Sequence, residues 1–196
     1  MRCLSVFSIL LLVSAASPCK EPTIQDKIIA AAEAYLNEPY VFGGRDGRPG
    51  CRRGQRRVRC PQGIDCQSLI FFAYEKVQKT PWTRYSVMPS VCVKKNQLGR
   101  PVPGLDGVLR SDLDHKKLKK GDVLFFLWRN YNLETDRPLW SKGEDKYGVW
   151  HTGLIHGRKD KVVRVIHAKP GEKVVIEPLD GVDFDALFVV RLSSPE

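Results

Sequence analysis

Cys66 is the residue in this sequence that is best placed to act as a nucleophile. It follows the glycine-containing turn 63–65 and begins an apolar segment, residues 67–77, whose hydrophobic side chains recur at helical spacing. The N-terminus of a helix carries partial positive charge and free N–H groups, which favour a thiolate and can stabilise an oxyanion. This position therefore predicts a catalytic cysteine, and the alternative is a buried core cysteine or half of a disulfide.

Four histidines are available as the base that a catalytic cysteine needs, and His151 is the best candidate. His115 lies among charged residues and is predicted to be on the surface. His151 and His167 lie in two strand-like runs, and an odd-numbered loop or a bulge would place them opposite each other on one face. A four-residue loop would separate them. We expect the first arrangement, in which His167 fixes the tautomer of His151. His156 would face away. The alternative for His151 is a satisfied core histidine.

The elements that must position these residues indicate one α+β domain over residues 18–196. A helical pattern runs from Thr23 to Leu36, and the second helix starts at Cys66. Residues 80–120 show a weak pattern broken by prolines and are predicted as loop. Antiparallel strands should follow, separated by a long polar loop at 129–148. The predicted strands are residues 123–128, 149–156, 162–168, 173–177 and 184–192.

The first 17 residues have the order of a secretory signal peptide: Arg2, an apolar run at 4–13, and the small residues 14–17. A run of ten residues is too short to span a bilayer, so we expect cleavage after residue 16 or 17, export, and no transmembrane segment. The alternative is a lipoprotein acylated at Cys19, which Pro18 directly before it disfavours.

Export would leave five cysteines in an oxidising compartment, and an odd number leaves at least one thiol unpaired. Cys51 and Cys60 close a short loop that has no hydrophobic core, and we expect a disulfide between them. Cys19 and Cys92 could form a second disulfide, which the sequence does not decide. With both pairs formed, Cys66 would be the unpaired cysteine. A zinc site is not expected, because the sequence has no CxxC pair.

Seven arginines lie within residues 45–59, and the whole chain has a formal net charge of +10. A nucleic-acid patch is disfavoured, because an exported protein rarely meets nucleic acid and this segment lacks interleaved aromatic residues. We expect a solvated loop that attracts an anionic wall polymer.

Five short motifs, in this order, resemble those of the NlpC-type cell-wall cysteine peptidases. They are Tyr40-Val41-Phe42-Gly43-Gly44, Gly63-Ile64-Asp65-Cys66, Lys120-Gly121-Asp122-Val123-Leu124-Phe125-Phe126, His151-Thr152-Gly153-Leu154-Ile155-His156-Gly157 and His167-Ala168. The resemblance implies a papain-like α+β fold, in which the nucleophile's helix packs on a C-terminal antiparallel sheet. It also implies a Cys66–His151–His167 triad, no cofactor, and hydrolysis of peptidoglycan stem peptides between D-glutamate and the diamino acid. Tyr40 and Asp65 match substrate-site positions, and Asp65 could receive the free amine of the stem peptide.

The sequence departs from this family at three places. Gln67 and Ser68 replace the usual Ser-Gly, and we expect both among the substrate-binding residues, with altered specificity on the acceptor side. The Arg-rich insertion at 45–61 and the loop at 129–148 are longer than usual and should flank the cleft. The tryptophans at 128, 140 and 150 could form a carbohydrate or peptide platform, or belong to the core.

The leading hypothesis is therefore an exported cysteine endopeptidase whose partner is peptidoglycan or its peptide fragments. The alternatives are an amidase or acyltransferase that acts on another amide, and a non-catalytic wall-binding or partner-binding module on the same fold.

Overall fold

The computed structural model describes residues 21–53, 56–131 and 133–192. The predicted signal peptide and Cys19 lie outside the described residues. The first helix, α1 (Ile24–Glu33), begins with a reciprocal capping box, in which Thr23 and Asp26 each bond the other's backbone N–H. Its buried face consists of Ile28, Ile29, Ala31 and Ala32.

The second helix, α2 (Cys66–Gln78), starts at the residue that the sequence predicts. Asp65 is its N-cap and accepts a hydrogen bond from the backbone N–H of Ser68. The helix ends at Lys79 in the left-handed conformation. Its buried residues run from Ser68 to Tyr74 and pack against α1 and the sheet.

A seven-stranded antiparallel sheet forms the C-terminal half of the domain. A short helix, α3 (Pro89–Lys94), precedes it. Its strands follow the order β3-β9-β4-β6-β7-β8, and β5 pairs with the first part of β6. The bounds are β3 (Arg100–Leu109), β4 (Val123–Arg129), β5 (Trp140–Lys142), β6 (Asp145–Lys159), β7 (Val162–Ala168), β8 (Val174–Pro178) and β9 (Ala186–Arg191).

The central strand β4 is buried on both faces. Phe125 belongs to the hydrophobic cluster that contains α1 and α2, and Phe126 belongs to a second cluster with Leu187 and Val189 of β9. Successive side chains of a strand point to opposite faces, so the apolar run at 123–127 fills both clusters. This confirms the α+β fold class, with helices packed on a C-terminal antiparallel sheet.

The prediction of loop throughout residues 80–120 is wrong, because this segment contains α3 and the ten-residue strand β3. Pro101 and Pro103 lie within β3, and prolines in a sequence usually indicate a loop and not a strand. β3 lies at the edge of the sheet and pairs only with β9, with register shifts around Asp106. An edge strand tolerates proline because one side of it has no ladder partner.

The Arg-rich insertion is a β-hairpin and not only a loop, with strands β1 (Pro49–Arg53) and β2 (Arg56–Arg59). Cys51 and Cys60 are joined by a disulfide across it. Arg48 anchors the hairpin to the helices: its guanidinium pairs with Glu75 and lies 3.7 Å from the centroid of the Phe72 ring.

The loop predicted at 129–148 is shorter than expected, because β5 and the start of β6 occupy its second half. Its first half is fastened to α3, where Asp136 accepts a hydrogen bond of 3.1 Å from the backbone N–H of Ser90. None of the helices in the described ranges is both long and apolar enough to cross a membrane.

Candidate active site

A cleft of about 440 Å³ lies between the start of α2 and strand β6. Residues from the segments 40–45 and 87–89, together with residue 131, complete its walls. Cys66 and His151 both line it, as do the predicted substrate residues Tyr40, Asp65 and Gln67. The remaining lining residues are Phe42, Gly43, Arg45, Val87, Pro89, Tyr131, Val149, Trp150 and Thr152. The cleft therefore brings together two of the three residues predicted to be catalytic.

Cys66 is half-buried and, with Cys92, is one of two free cysteines among the described residues. Burial raises the pKa of its thiol to about 11, and the Asp65 carboxylate adds to the rise. Contacts with Thr152 and the charge of Arg45 act in the opposite direction. Lost hydration thus outweighs the contacts that favour the anion, so the resting form is the thiol and not the thiolate that the sequence predicts.

His151 owes its orientation to a β-bulge. Phe126 of β4 pairs with His151 and Leu127 pairs with Val149, so Trp150 is an extra residue in β6. A bulge of this kind turns two neighbouring side chains to the same side of a strand. The ring of Trp150 accordingly stacks on that of His151, with centroids 5.0 Å apart.

A second bulge places His167 on the same face as His151. The turn between β6 and β7 has two residues, an even number, which alone would separate the histidines. The register shifts between Ile155 and Gly157, however, and the extra residue there is His156. The bulge that the sequence analysis allowed as an alternative is confirmed. The histidines are diagonal neighbours and not directly opposite, and Nε2 of His151 lies 2.7 Å from Nδ1 of His167.

Glu177 on β8 extends this pair into a chain of three side chains. Its Oε1 lies 2.9 Å from Nε2 of His167. A carboxylate only accepts hydrogen bonds, so Nε2 of His167 carries the proton and its Nδ1 accepts. His151 must then donate through Nε2, which leaves the lone pair on its Nδ1. Among the described residues, that buried Nδ1 has no hydrogen-bond partner. The tautomer that leaves Nδ1 free to accept a proton is thus set by Glu177.

His151 is buried, with 1% of its surface exposed. The Phe126 ring stacks on it at 5.7 Å, and Trp128 stacks on Trp150 at 4.3 Å. Burial, and then the nearby His167, lower the pKa of His151 to about 3. Burial also lowers the pKa of His167. Both rings are therefore neutral near pH 7, as a general base and its orienting partner need to be.

Tyr40 lies near the nucleophile, and its pKa is raised to about 12 by burial and then by the charges of Cys66 and Asp65. Its hydroxyl therefore stays protonated and able to donate. Gly43 (φ 69°) and Gly44 allow the tight turn that follows it; a Cβ on Gly44 would lie 2.6 Å from the carbonyl oxygen of Gly63.

Three other predicted substrate residues have different surroundings. Asp65 is buried and bonded to Arg45 and Ser68. Ser68 does not line the cleft, because it is fully buried, so we do not retain a substrate-binding role for it. Gln67 donates a hydrogen bond of 3.0 Å to the carbonyl of Val87, which ties α2 to the rim of the cleft.

The three tryptophans, for which a platform and a place in the core were the alternatives, have separate roles. Trp150 lines the cleft, and Trp128 supports it from behind. Trp140 packs on Tyr147, with ring centroids 4.8 Å apart, and fills the space over Gly107, where any Cβ would clash with it. A surface built from all three is therefore not present.

Sequence reasoning missed Glu177 and the site role of Arg45. Glu177 is brought to His167 only by strand pairing, and no local motif marks it. The sequence predicts that Arg45 is one of the solvated charges of the insertion, but only 6% of it is exposed. No cluster of three or more metal-ligating side chains occurs among the residues that the structure describes.

Comparisons with known proteins show similarity in structure only. No protein-family model matches the chain, and no curated protein matches its sequence. An N-acetylmuramoyl-L-alanine amidase from Bacteroides uniformis matches with a TM-score of 0.59 and 13% identity, over 87% of this chain and 99% of that one. The peptidoglycan hydrolase RipB from Mycobacterium tuberculosis matches with a TM-score of 0.50 and 20% identity, over 88% of this chain.

This chain spans 66% of the length of the matched RipB chain. RipD of the same organism, described as a non-catalytic NlpC/p60 domain protein, matches with a TM-score of 0.48 and 20% identity. What these comparisons establish is the fold: the chain has the papain-like architecture of structures that include a peptidoglycan hydrolase and an amidase.

Proposed function

We propose that this protein is an exported cysteine endopeptidase that hydrolyses amide bonds in peptidoglycan stem peptides, between D-glutamate and the diamino acid. The observation that carries the proposal is the free Nδ1 of His151, in the same cleft as Cys66, on a ring fixed from behind by His167. A core histidine would be expected to bond through both nitrogens. The fold shared with a peptidoglycan hydrolase and an amidase supports the substrate class.

In this mechanism the thiol and the imidazole both start neutral. His151 Nδ1 removes the proton as Sγ of Cys66 attacks the amide carbonyl carbon. The backbone N–H groups at the start of α2 and the Tyr40 hydroxyl stabilise the oxyanion. His151 then gives the proton to the leaving amine, and a thioester remains on Cys66. Water, activated by the same nitrogen, hydrolyses the thioester and restores the thiol.

His167 and Glu177 assist without touching substrate. When His151 gains its second proton, Nδ1 of His167 accepts the hydrogen bond from its Nε2, and the Glu177 carboxylate offsets the positive charge. Export is part of the proposal and rests on the apolar run at residues 4–13.

Incubation of purified muropeptides with the protein under reducing conditions, followed by mass spectrometry, tests the proposal. We expect stem peptides cut after D-glutamate, and no products from Cys66→Ala. Cys92→Ala is the matched control, because this second free thiol is buried and lies outside the active cleft. Release of intact stem peptides from the glycan would instead identify an amidase, and wall binding without cleavage would identify a binding module.

A further inference from the structure

Arg45 and Asp65 form a buried ion pair at the base of the cleft. Their side chains are only 7% and 9% exposed, and Nη1 of Arg45 contacts Oδ2 of Asp65 directly. The same nitrogen lies 2.9 Å from the carbonyl oxygen of Gly44 and 2.6 Å from Oγ of Ser68. Few arginines are buried to this extent without such a set of partners.

The other oxygen of Asp65 is occupied as well. Oδ1 accepts from the backbone N–H of Ser68 at 2.7 Å and lies 2.6 Å from the Ser68 hydroxyl. Asp65 thus caps α2 and neutralises Arg45, and both of its oxygens already have partners. A positively charged substrate group placed here would also meet the guanidinium.

The rest of the cleft offers no substitute for this carboxylate. Asp65 is the only acidic residue among the described residues that line it, and Arg45 is the only lysine or arginine. An ammonium group that enters would lose hydration without gaining a free counter-charge, which is costly. An uncharged amide group in the same position loses far less.

We propose that the cleft is selective for stem peptides whose amino end is blocked by an amide, as in strands still attached to glycan, and that it discriminates against released peptides with a free ammonium. The proposal rests on the proposed function and assigns Arg45 as the residue that determines this selectivity. It replaces the expectation that Asp65 receives a free amine.

The test compares two synthetic stem tetrapeptides that differ only in a free or an N-acetylated amino end. At pH 6.5 we expect kcat/KM to be higher for the acetylated peptide by roughly tenfold or more. An α-amine has a pKa of about 8, so the difference should shrink when the pH is raised to 9. Equal rates at pH 6.5, or a preference for the free amine, would overturn the proposal and leave the proposed function intact.

Substitutions at Arg45 and Asp65 test whether this ion pair determines the selectivity. Arg45→Gln frees the Asp65 carboxylate and should shift the ratio toward the free amine by roughly tenfold or more. Arg48→Gln, which removes an arginine paired outside the cleft, should leave the ratio unchanged. Arg45→Gln/Asp65→Asn has no buried unpaired charge and should not show the shift toward the free amine that Arg45→Gln shows. A folded Arg45→Gln variant, verified by circular dichroism, with the wild-type ratio would contradict the assignment.

If the wild type cleaves neither peptide, the proposed function fails, and binding decides the inference. Calorimetric titration of the Cys66→Ala variant with both peptides should then give the lower Kd for the acetylated one. Equal affinities, or no binding of either peptide, would overturn the inference.

Discussion

At the scale of single residues, the proton position on His151 depends on a carboxylate that does not touch it. Glu177 bonds Nε2 of His167, and His167 in turn bonds Nε2 of His151. If Glu177 were replaced by a group able to donate, both rings could adopt the opposite tautomer. Nδ1 of His151 would then carry a proton and could not accept one from Cys66.

We therefore expect Glu177→Gln to lower kcat/KM by roughly 10- to 100-fold, less than the ~10⁴-fold known for a wrong tautomer directly at the base. The effect should fall on kcat, because Glu177 does not line the cleft. Proton–nitrogen NMR spectra of the histidine rings should show the changed tautomer, which a purely structural role would not produce.

Glu172→Gln is the matched control for this prediction. Glu172 pairs with Lys169, as Glu177 does, and its charge also raises the pKa of His167, but it forms no ion pair with that ring among the described residues. Its substitution should leave the tautomers in the ring spectra unchanged and should lower kcat less than Glu177→Gln does. Wild-type kcat in a folded Glu177→Gln variant would contradict the relay.

The pH dependence of catalysis follows from the burial of both reacting groups. The pKa of His151 is lowered to about 3, so its Nδ1 stays unprotonated at any higher pH. The pKa of the Cys66 thiol is raised to about 11, so the thiol keeps its proton below that pH. On an N-acetylated substrate we thus expect kcat/KM to stay flat between about pH 5 and 8. A fall with an apparent pKa near 6.5 would show a solvated, ordinary imidazole instead.

Residue type and spacing predicted the placement of Cys66 at a helix start and the shared face of His151 and His167. They could not predict the protonation state of Cys66, because burial of a thiol depends on what packs over the helix start. Arg45 and Glu177 were missed for a similar reason. Each acquires its role from a partner at least ten positions away along the chain.

At the scale of elements, strand β6 carries two bulges, at Trp150 and His156, and both serve the site. The first turns His151 and Trp150 to one side. The second offsets the even-numbered turn, so that His167 returns on the face of His151. His156 itself is directed to α1, where its Nε2 lies 2.7 Å from Glu33.

Gly153 provides the space in which β7 can approach. A Cβ added there would lie 2.7 Å from Cγ1 of Val165 and 3.3 Å from Cβ of His167. We expect Gly153→Ala to move β7 and lengthen the contact between the histidines. Activity should fall by roughly tenfold or more, with about 1–3 kcal/mol lost from the free energy of unfolding.

Gly181→Ala is the control, because the nearest atom to its added Cβ is 3.9 Å away. Activity assays and thermal unfolding of both variants check the prediction. Equal kcat/KM for the two variants would show that the contact between the histidines tolerates the displacement.

The same strand shows why bulges limit prediction from sequence. The sequence predicted the β7 strand with its observed bounds, Val162–Ala168. The position of a bulge depends on the partner strand, so the sequence of one strand alone does not locate it. Edge strand β3 was missed because its prolines and glycines hide a pattern that only its pairing with β9 reveals.

At the scale of the whole molecule, the net charge of +10 is less available than the sequence suggests. Arg45 is neutralised by Asp65 within the cleft, and Arg48 is paired with Glu75 at the base of the hairpin. The other five arginines of this segment include Arg52, Arg53, Arg56 and Arg57, the four nearest to the connection between β1 and β2 and here called the tip arginines.

This separation predicts that binding to an anionic wall polymer and cleavage can be uncoupled. Replacing the four tip arginines with glutamine should weaken binding to sacculi that carry the polymer and reduce the dependence of binding on salt, because charge attraction is screened by ions. Cleavage of soluble muropeptides should stay unchanged, because the proposed catalytic residues Cys66 and His151 lie outside the hairpin strands that carry these arginines. Replacing the exposed lysines Lys94, Lys95, Lys116 and Lys161 removes the same charge elsewhere and should have the smaller effect. Co-sedimentation across a salt series measures both variants. If both variants lose the same binding affinity, the attraction is due to net charge and not to the tip arginines. If the arginine variant still binds sacculi that lack the polymer, that binding is due to the cleft.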